Sequence, residues 1–153
     1  MNTWAALIAG LHYLAIMGIA ATLSIEVMTL KGSVTKDAVL RLARVDMFYG
    51  ISALLVLLTG IARVIWFGKG VDFYMHNWVF HLKVTIFVAV GLWSILPTVR
   101  FLQWRKSVMT SGALPTGVQF NAMRKVVFSE LHLLALLPFL AALMARGIGV
   151  IGV

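Results

Sequence analysis

The stretch from Trp78 to Trp104, WVFHLKVTIFVAVGLWSILPTVRFLQW, constrains the fold more than any other. It can cross a bilayer, since about 20 mainly apolar residues suffice. Yet His81 and Lys83 stand just inside one end, Pro97 in the second half and Arg100 near the other end. A helix that only anchored a protein would not need ionisable groups there, because lipid disfavours each one unless another helix or a wet cavity receives it. Polar residues from elsewhere in the chain are therefore expected to meet this helix inside a bundle.

Three more apolar runs of this kind occur in the 153 residues, over about 4–30, 45–67 and 125–146. Hydrophobic residues make up 61% and charged ones 12%, against roughly half and a quarter in a soluble domain. These readings predict an all-α fold, an integral membrane four-helix transmembrane bundle, as a single domain over residues 1–153. A soluble all-α protein is the alternative, and the length of the apolar runs speaks against it. The absence of cysteine excludes disulfides, zinc–thiolate sites, iron–sulfur clusters and thiol nucleophiles. The N-terminal run lacks a basic n-region and an A-x-A-like site, so it reads as the first span and not as a cleaved signal.

The net charge of +8 could suggest a nucleic-acid partner, but its placement indicates a lipid bilayer and no nucleic acid. Nine of the 13 Lys and Arg fall in or beside two loops: Lys31, Lys36, Arg41 and Arg44, then Arg100, Arg105, Lys106, Arg124 and Lys125. The positive-inside rule then puts loops one and three in the cytoplasm and both termini outside, in a bacterial cytoplasmic membrane. In loop one, Gly32 and Ser33 stop the first helix, and Thr35 or Asp37 would cap a short amphipathic helix leading into span two. Trp66, Phe67, Phe73, Tyr74 and Trp78 around loop two suit an interfacial belt. Loop three, Arg105 to Arg124, reads as irregular and exposed.

With this topology two polar layers emerge. His12 and Glu26 lie about four turns, roughly 21 Å, apart on one face of span one. The outer layer collects His12, Arg63, His81 and Lys83. The inner layer collects Glu26, Asp46, Arg100, Glu130 and His132, together with Arg41 and Arg44, and these are expected to form structural ion pairs. Scaffolding alone would account for the carboxylates, and snorkelling for Arg63 and Lys83. Histidines from two spans at matched depth suit a metal or a b-type haem, with basic groups nearby for its propionates; histidine also makes ordinary interhelical hydrogen bonds. No H-E-x-x-H, P-loop or dinucleotide-binding glycine motif is present.

The segments His12-Tyr-Leu-Ala-Ile, Arg44-Val-Asp-Met-Phe-Tyr-Gly50, His81-Leu-Lys83 and Phe128-Ser-Glu130 resemble, in order, landmarks of the HemJ-type protoporphyrinogen oxidases. The chain also looks like a member of a bacterial four-helix membrane family grouped loosely with HemJ and the copper-resistance CopD domain. The resemblance implies His12 as an axial ligand of haem b, with His81 opposite it or against the porphyrin. It places Lys83 and Arg63 near the propionates and makes Glu130 a bundle-stabilising or proton-handling carboxylate. The chain departs from the oxidases at His132, where they carry a proline close by, and around Trp93, where a further histidine is expected.

The leading expectation is thus a haem-b-binding membrane protein, an oxidoreductase in porphyrin metabolism or electron transfer, with a porphyrin or an electron-transfer protein as partner. One alternative is a copper or small-cation transport component using His12 and His81 with Met17 and Met75. Another is a non-catalytic membrane partner protein that binds no cofactor. Gly- and Ala-containing faces permit a homo-oligomer.

Overall fold

The computed structural model describes residues 3–151. The elements are α1 (Thr3–Lys31), α2 (Lys36–Ala62) running into a π-helical turn (Arg63–Phe67), the short α3 (Val71–Met75), α4 (Trp78–Trp93), α5 (Ile95–Ser111) and α6 (Gly117–Ala145). Four candidate spans result, with α4 and α5 together forming the third. The bundle expected from the apolar runs is present.

Capping residues set the boundaries. Thr35 accepts a hydrogen bond from the Ala38 N–H and starts α2, so no separate amphipathic helix precedes span two. Asn77 accepts from the Val79 and Phe80 N–H groups and starts α4. Thr116 and Gln119 form a reciprocal capping box at the start of α6. Gly112, with φ 71°, ends α5 in a left-handed turn that favours glycine. Loop three is consequently much shorter than the irregular segment expected over Arg105 to Arg124, because the capping box and the Gly112 stop extend both flanking helices into it.

The spans close a ring in which α1 packs on α2 and α6, α4 packs on α6, and α5 packs on α2. The third span thus changes neighbour along its length, and the helix is interrupted at Ser94 where it does so. Pro97 lacks an N–H and cannot supply the helical donor to the Trp93 carbonyl, which is the physical cause of a break here.

One end of the ring carries the start of α1, the π turn, α3 and the end of α6. At that end the Trp78 N–H donates to the Gly149 carbonyl at 3.0 Å, and the Ile151 N–H donates to the His76 carbonyl at 2.8 Å. Gly149 lies against Asn77 and Val79 with φ 96°, a position without room for a side chain. The best-packed core lies toward the opposite end: Leu23, Leu42, Phe101 and Val127 are fully buried, and Trp104 stacks on Phe120 with ring centroids 5.4 Å apart.

The outside of the ring is apolar. Met28 is 72% exposed, Phe139 71% and Leu92 65%. A soluble protein rarely shows so continuous an apolar surface, whereas lipid tails cover it without penalty. Helix association in lipid then depends on close packing and polar contacts. α1 and α2 approach closely at Gly18, where an added Cβ would lie 2.7 Å from Ser52 Oγ. Gly18→Leu should therefore separate these helices and cost about 1–3 kcal/mol. Thermal unfolding in detergent checks this, with a lowered midpoint expected.

Candidate functional site

His12 is the buried histidine of α1, 6% exposed. Its Nδ1 lies 2.8 Å from Thr59 Oγ1 of α2. The Thr59 hydroxyl proton is directed at the Leu55 carbonyl one turn back, so Thr59 accepts a hydrogen bond from His12 Nδ1–H. In the tautomer with the proton on Nδ1, this contact leaves the Nε2 lone pair for another partner. Gly60 flanks the ring, and a Cβ there would lie 3.4 Å from Cε1.

Two cations act electrostatically on the His12 ring, Arg63 and Lys83, and Lys83 also feels Arg63. Arg63 opens the π-helical turn, a local irregularity that often marks function. Its guanidinium lies over the Tyr13 ring, 5.3 Å from the centroid. Both cations are half-buried, and neither forms an ion pair among the described residues. His12, Arg63 and Lys83 thus assemble a basic layer that lacks an anionic partner.

His81 does not join it. This residue is exposed, with Nε2 2.9 Å from the Met75 carbonyl at the end of α3. His76 is also exposed and pairs with Asp72 at 3.2 Å, in the one salt bridge among the described residues. A groove beside Leu14, Gly18 and Ser52 and another beside Thr29, Gly32 and Arg41 are lined without a histidine. Of the four residues expected in the outer layer, His12, Arg63 and Lys83 influence one another electrostatically, and His81 is turned to the end of α3.

The second layer differs from its expectation. Glu26 of α1 and Glu130 of α6 are each 1% exposed, and Asp46 of α2 is 6% exposed. Glu26 interacts electrostatically with Asp46 and Glu130, and Glu130 with Asp46. Asp46 Oδ1 accepts from the Thr98 hydroxyl at 2.9 Å. The buried Tyr49 joins this layer, with its hydroxyl facing Ser94.

The expected ion pairs do not form. Arg100 is exposed and donates to Gln103 Oε1, and His132 is exposed and turned to the Phe128 carbonyl at 2.7 Å. Arg41 and Arg44 are exposed as well. Their helix faces point outward where the carboxylates point inward, and depth along the bilayer carries no information about that rotation. The sequence reading left out Thr59, Ser94 and Thr98, and quoted Tyr13 and Tyr49 only within motifs, without a role. The available signal was a small set of hydroxyl groups inside otherwise apolar runs.

Four long apolar helices closed around polar layers, with an apolar exterior, define an integral membrane four-helix bundle. Residues 4–149 match the family described as "Predicted membrane protein (DUF2214)", and the chain belongs to that family. No curated protein and no solved structure matches the chain. The family description carries the likeness to HemJ-type oxidases no further.

The Thr59–His12 contact makes a prediction. Thr59→Val keeps the side-chain shape but removes the acceptor, leaving a buried N–H unsatisfied at a cost of about 1–3 kcal/mol. The thermal midpoint should fall in Thr59→Val and recover in Thr59→Ser.

Proposed function

We propose that this chain is a haem-b-binding protein of the bacterial cytoplasmic membrane, serving electron transfer or porphyrin redox chemistry. The observation that carries this reading is the buried His12 ring, whose Nδ1 lies against Thr59, so that Nε2 would be the nitrogen available to a metal. His12 would supply an axial nitrogen, and Arg63 and Lys83 would receive the propionate carboxylates through charge-assisted hydrogen bonds. Bound haem b would supply reversible one-electron transfer at its iron. The protein's contribution is the tautomer of His12, the cations beside it and a water-poor surround. The resemblance of His12-Tyr, His81-Leu-Lys83 and Phe128-Ser-Glu130 to landmarks of HemJ-type oxidases points the same way.

His81 does not fit the ligand role first expected of it. In the structure its Nε2 is engaged by the Met75 carbonyl on the exposed side of α4, so the proposed ligation rests on His12 alone. The copper alternative has less support. Met17 and Met75 are 67% and 47% exposed, whereas His12 is buried, and among the described residues no three His, Cys, Asp or Glu side chains converge on one ion.

A reduced-minus-oxidised absorption spectrum of the detergent-purified protein, supplemented with haem, tests the proposal. Soret and α bands are expected in the native protein and in His81→Ala, and should be lost in His12→Ala. Absence of both bands from the native protein would leave the non-catalytic partner reading in place. Equal loss in both variants would restore the two-histidine arrangement.

A further inference from the structure

The corner where α1 meets α2 holds a groove that the His12 site does not use. Its volume is about 300 Å³, and Met28, Thr29, Ser33, Asp37 and Arg41 are among its lining residues. Lys31 and Lys36 flank it in the chain. Lys31, Lys36 and Arg41 are exposed, and none of them forms an ion pair among the described residues. Asp37 is the one acidic group beside them, which leaves the surround of the groove with a net positive charge. Asp37 and Arg41 stand four residues apart on α2, a spacing at which opposite charges often pair. Here they do not come within salt-bridge distance, so the guanidinium is left for an anion from outside the chain.

The depth of the groove says where that anion comes from. α2 and the π turn together run over 32 residues, about 48 Å at the helical rise. The hydrocarbon layer is only about 30 Å thick, so the first turns of α2 stand among lipid headgroups. Met28 is largely exposed and gives the groove an apolar wall for an acyl chain. Ser33 and Arg41 give it a hydroxyl and a planar donor fork for a phosphate. Lipid headgroups of negative charge are drawn to basic clusters at this level.

We propose that this groove binds one anionic glycerophospholipid, its phosphate on Arg41 with Lys31 and Lys36 beside it and an acyl chain against Met28. A zwitterionic lipid is a poorer match, because its cationic head meets a surround that is already net positive. The bound lipid would bridge the end of α1 and the start of α2, where only a short loop joins them. This site lies at the opposite end of α1 from His12 and does not depend on haem.

The test follows the thermal midpoint of the purified protein in a neutral detergent at constant ionic strength. Phosphatidylglycerol, phosphatidylcholine and inorganic phosphate are titrated separately. At about a hundredfold excess over its dissociation constant, phosphatidylglycerol should raise the native midpoint by about 5 °C, and the other two should leave it in place. Arg41→Gln should lose most of that shift. Lys106→Gln, in α5, should keep it, and so should His12→Ala, which separates this result from the haem test.

No rise with phosphatidylglycerol, an equal rise with phosphatidylcholine, or a rise with inorganic phosphate alone would each overturn the proposal. So would an undiminished shift in Arg41→Gln, or equal losses in Arg41→Gln and Lys106→Gln, which mark a diffuse charge effect. If Arg41→Gln does not fold, native mass spectrometry of the unaltered protein in equimolar phosphatidylglycerol and phosphatidylcholine decides. Preferential retention of one phosphatidylglycerol is expected, and equal retention overturns the proposal.

Discussion

The structure depends on the constraint that, within lipid, a charged or polar side chain must find its partner inside the ring of helices or reach the interface. Everything apolar can face outward, as Met28, Leu92 and Phe139 do. The costly side chains that do face inward lie in two layers, one of basic and one of acidic residues. His12, Arg63 and Lys83 form the basic one, and Glu26, Asp46 and Glu130 the acidic one.

The packing explains how both layers persist. A buried core around Leu23, Leu42, Phe101 and Val127 lies toward one end. Closer to the termini, hydrogen bonds and small residues take over: Thr59 orients His12, Gly18 admits Ser52, and the chain beyond α6 joins the start of α4 through Gly149. The third span packs on α6 with its first half and on α2 with its second.

Much of this was legible in the sequence. The four apolar runs, the Thr35 cap and the inward placement of His12, Glu26, Asp46 and Glu130 all follow from the low tolerance of lipid for charge. What was not legible was helix rotation. Depth placed Arg100 and His132 level with the carboxylates, but both lie on outward faces. Likewise His81 shares the depth of the basic layer, yet its ring is exposed and turned to the Met75 carbonyl at the end of α3. Loop three was read as irregular because its Ser, Thr, Gly and Pro residues are turn formers. Concentrated at the Gly112 stop and the Thr116 cap, they end and start helices instead.

The account turns on His12 acting without His81. Electron paramagnetic resonance of the ferric, haem-loaded protein addresses this most directly, since spin state reports the number of strong axial nitrogens. Ligation by His12 alone gives a high-spin signal that disappears in His12→Ala and survives in His81→Ala. A low-spin signal in the native protein, converted to high spin by either substitution, would contradict it.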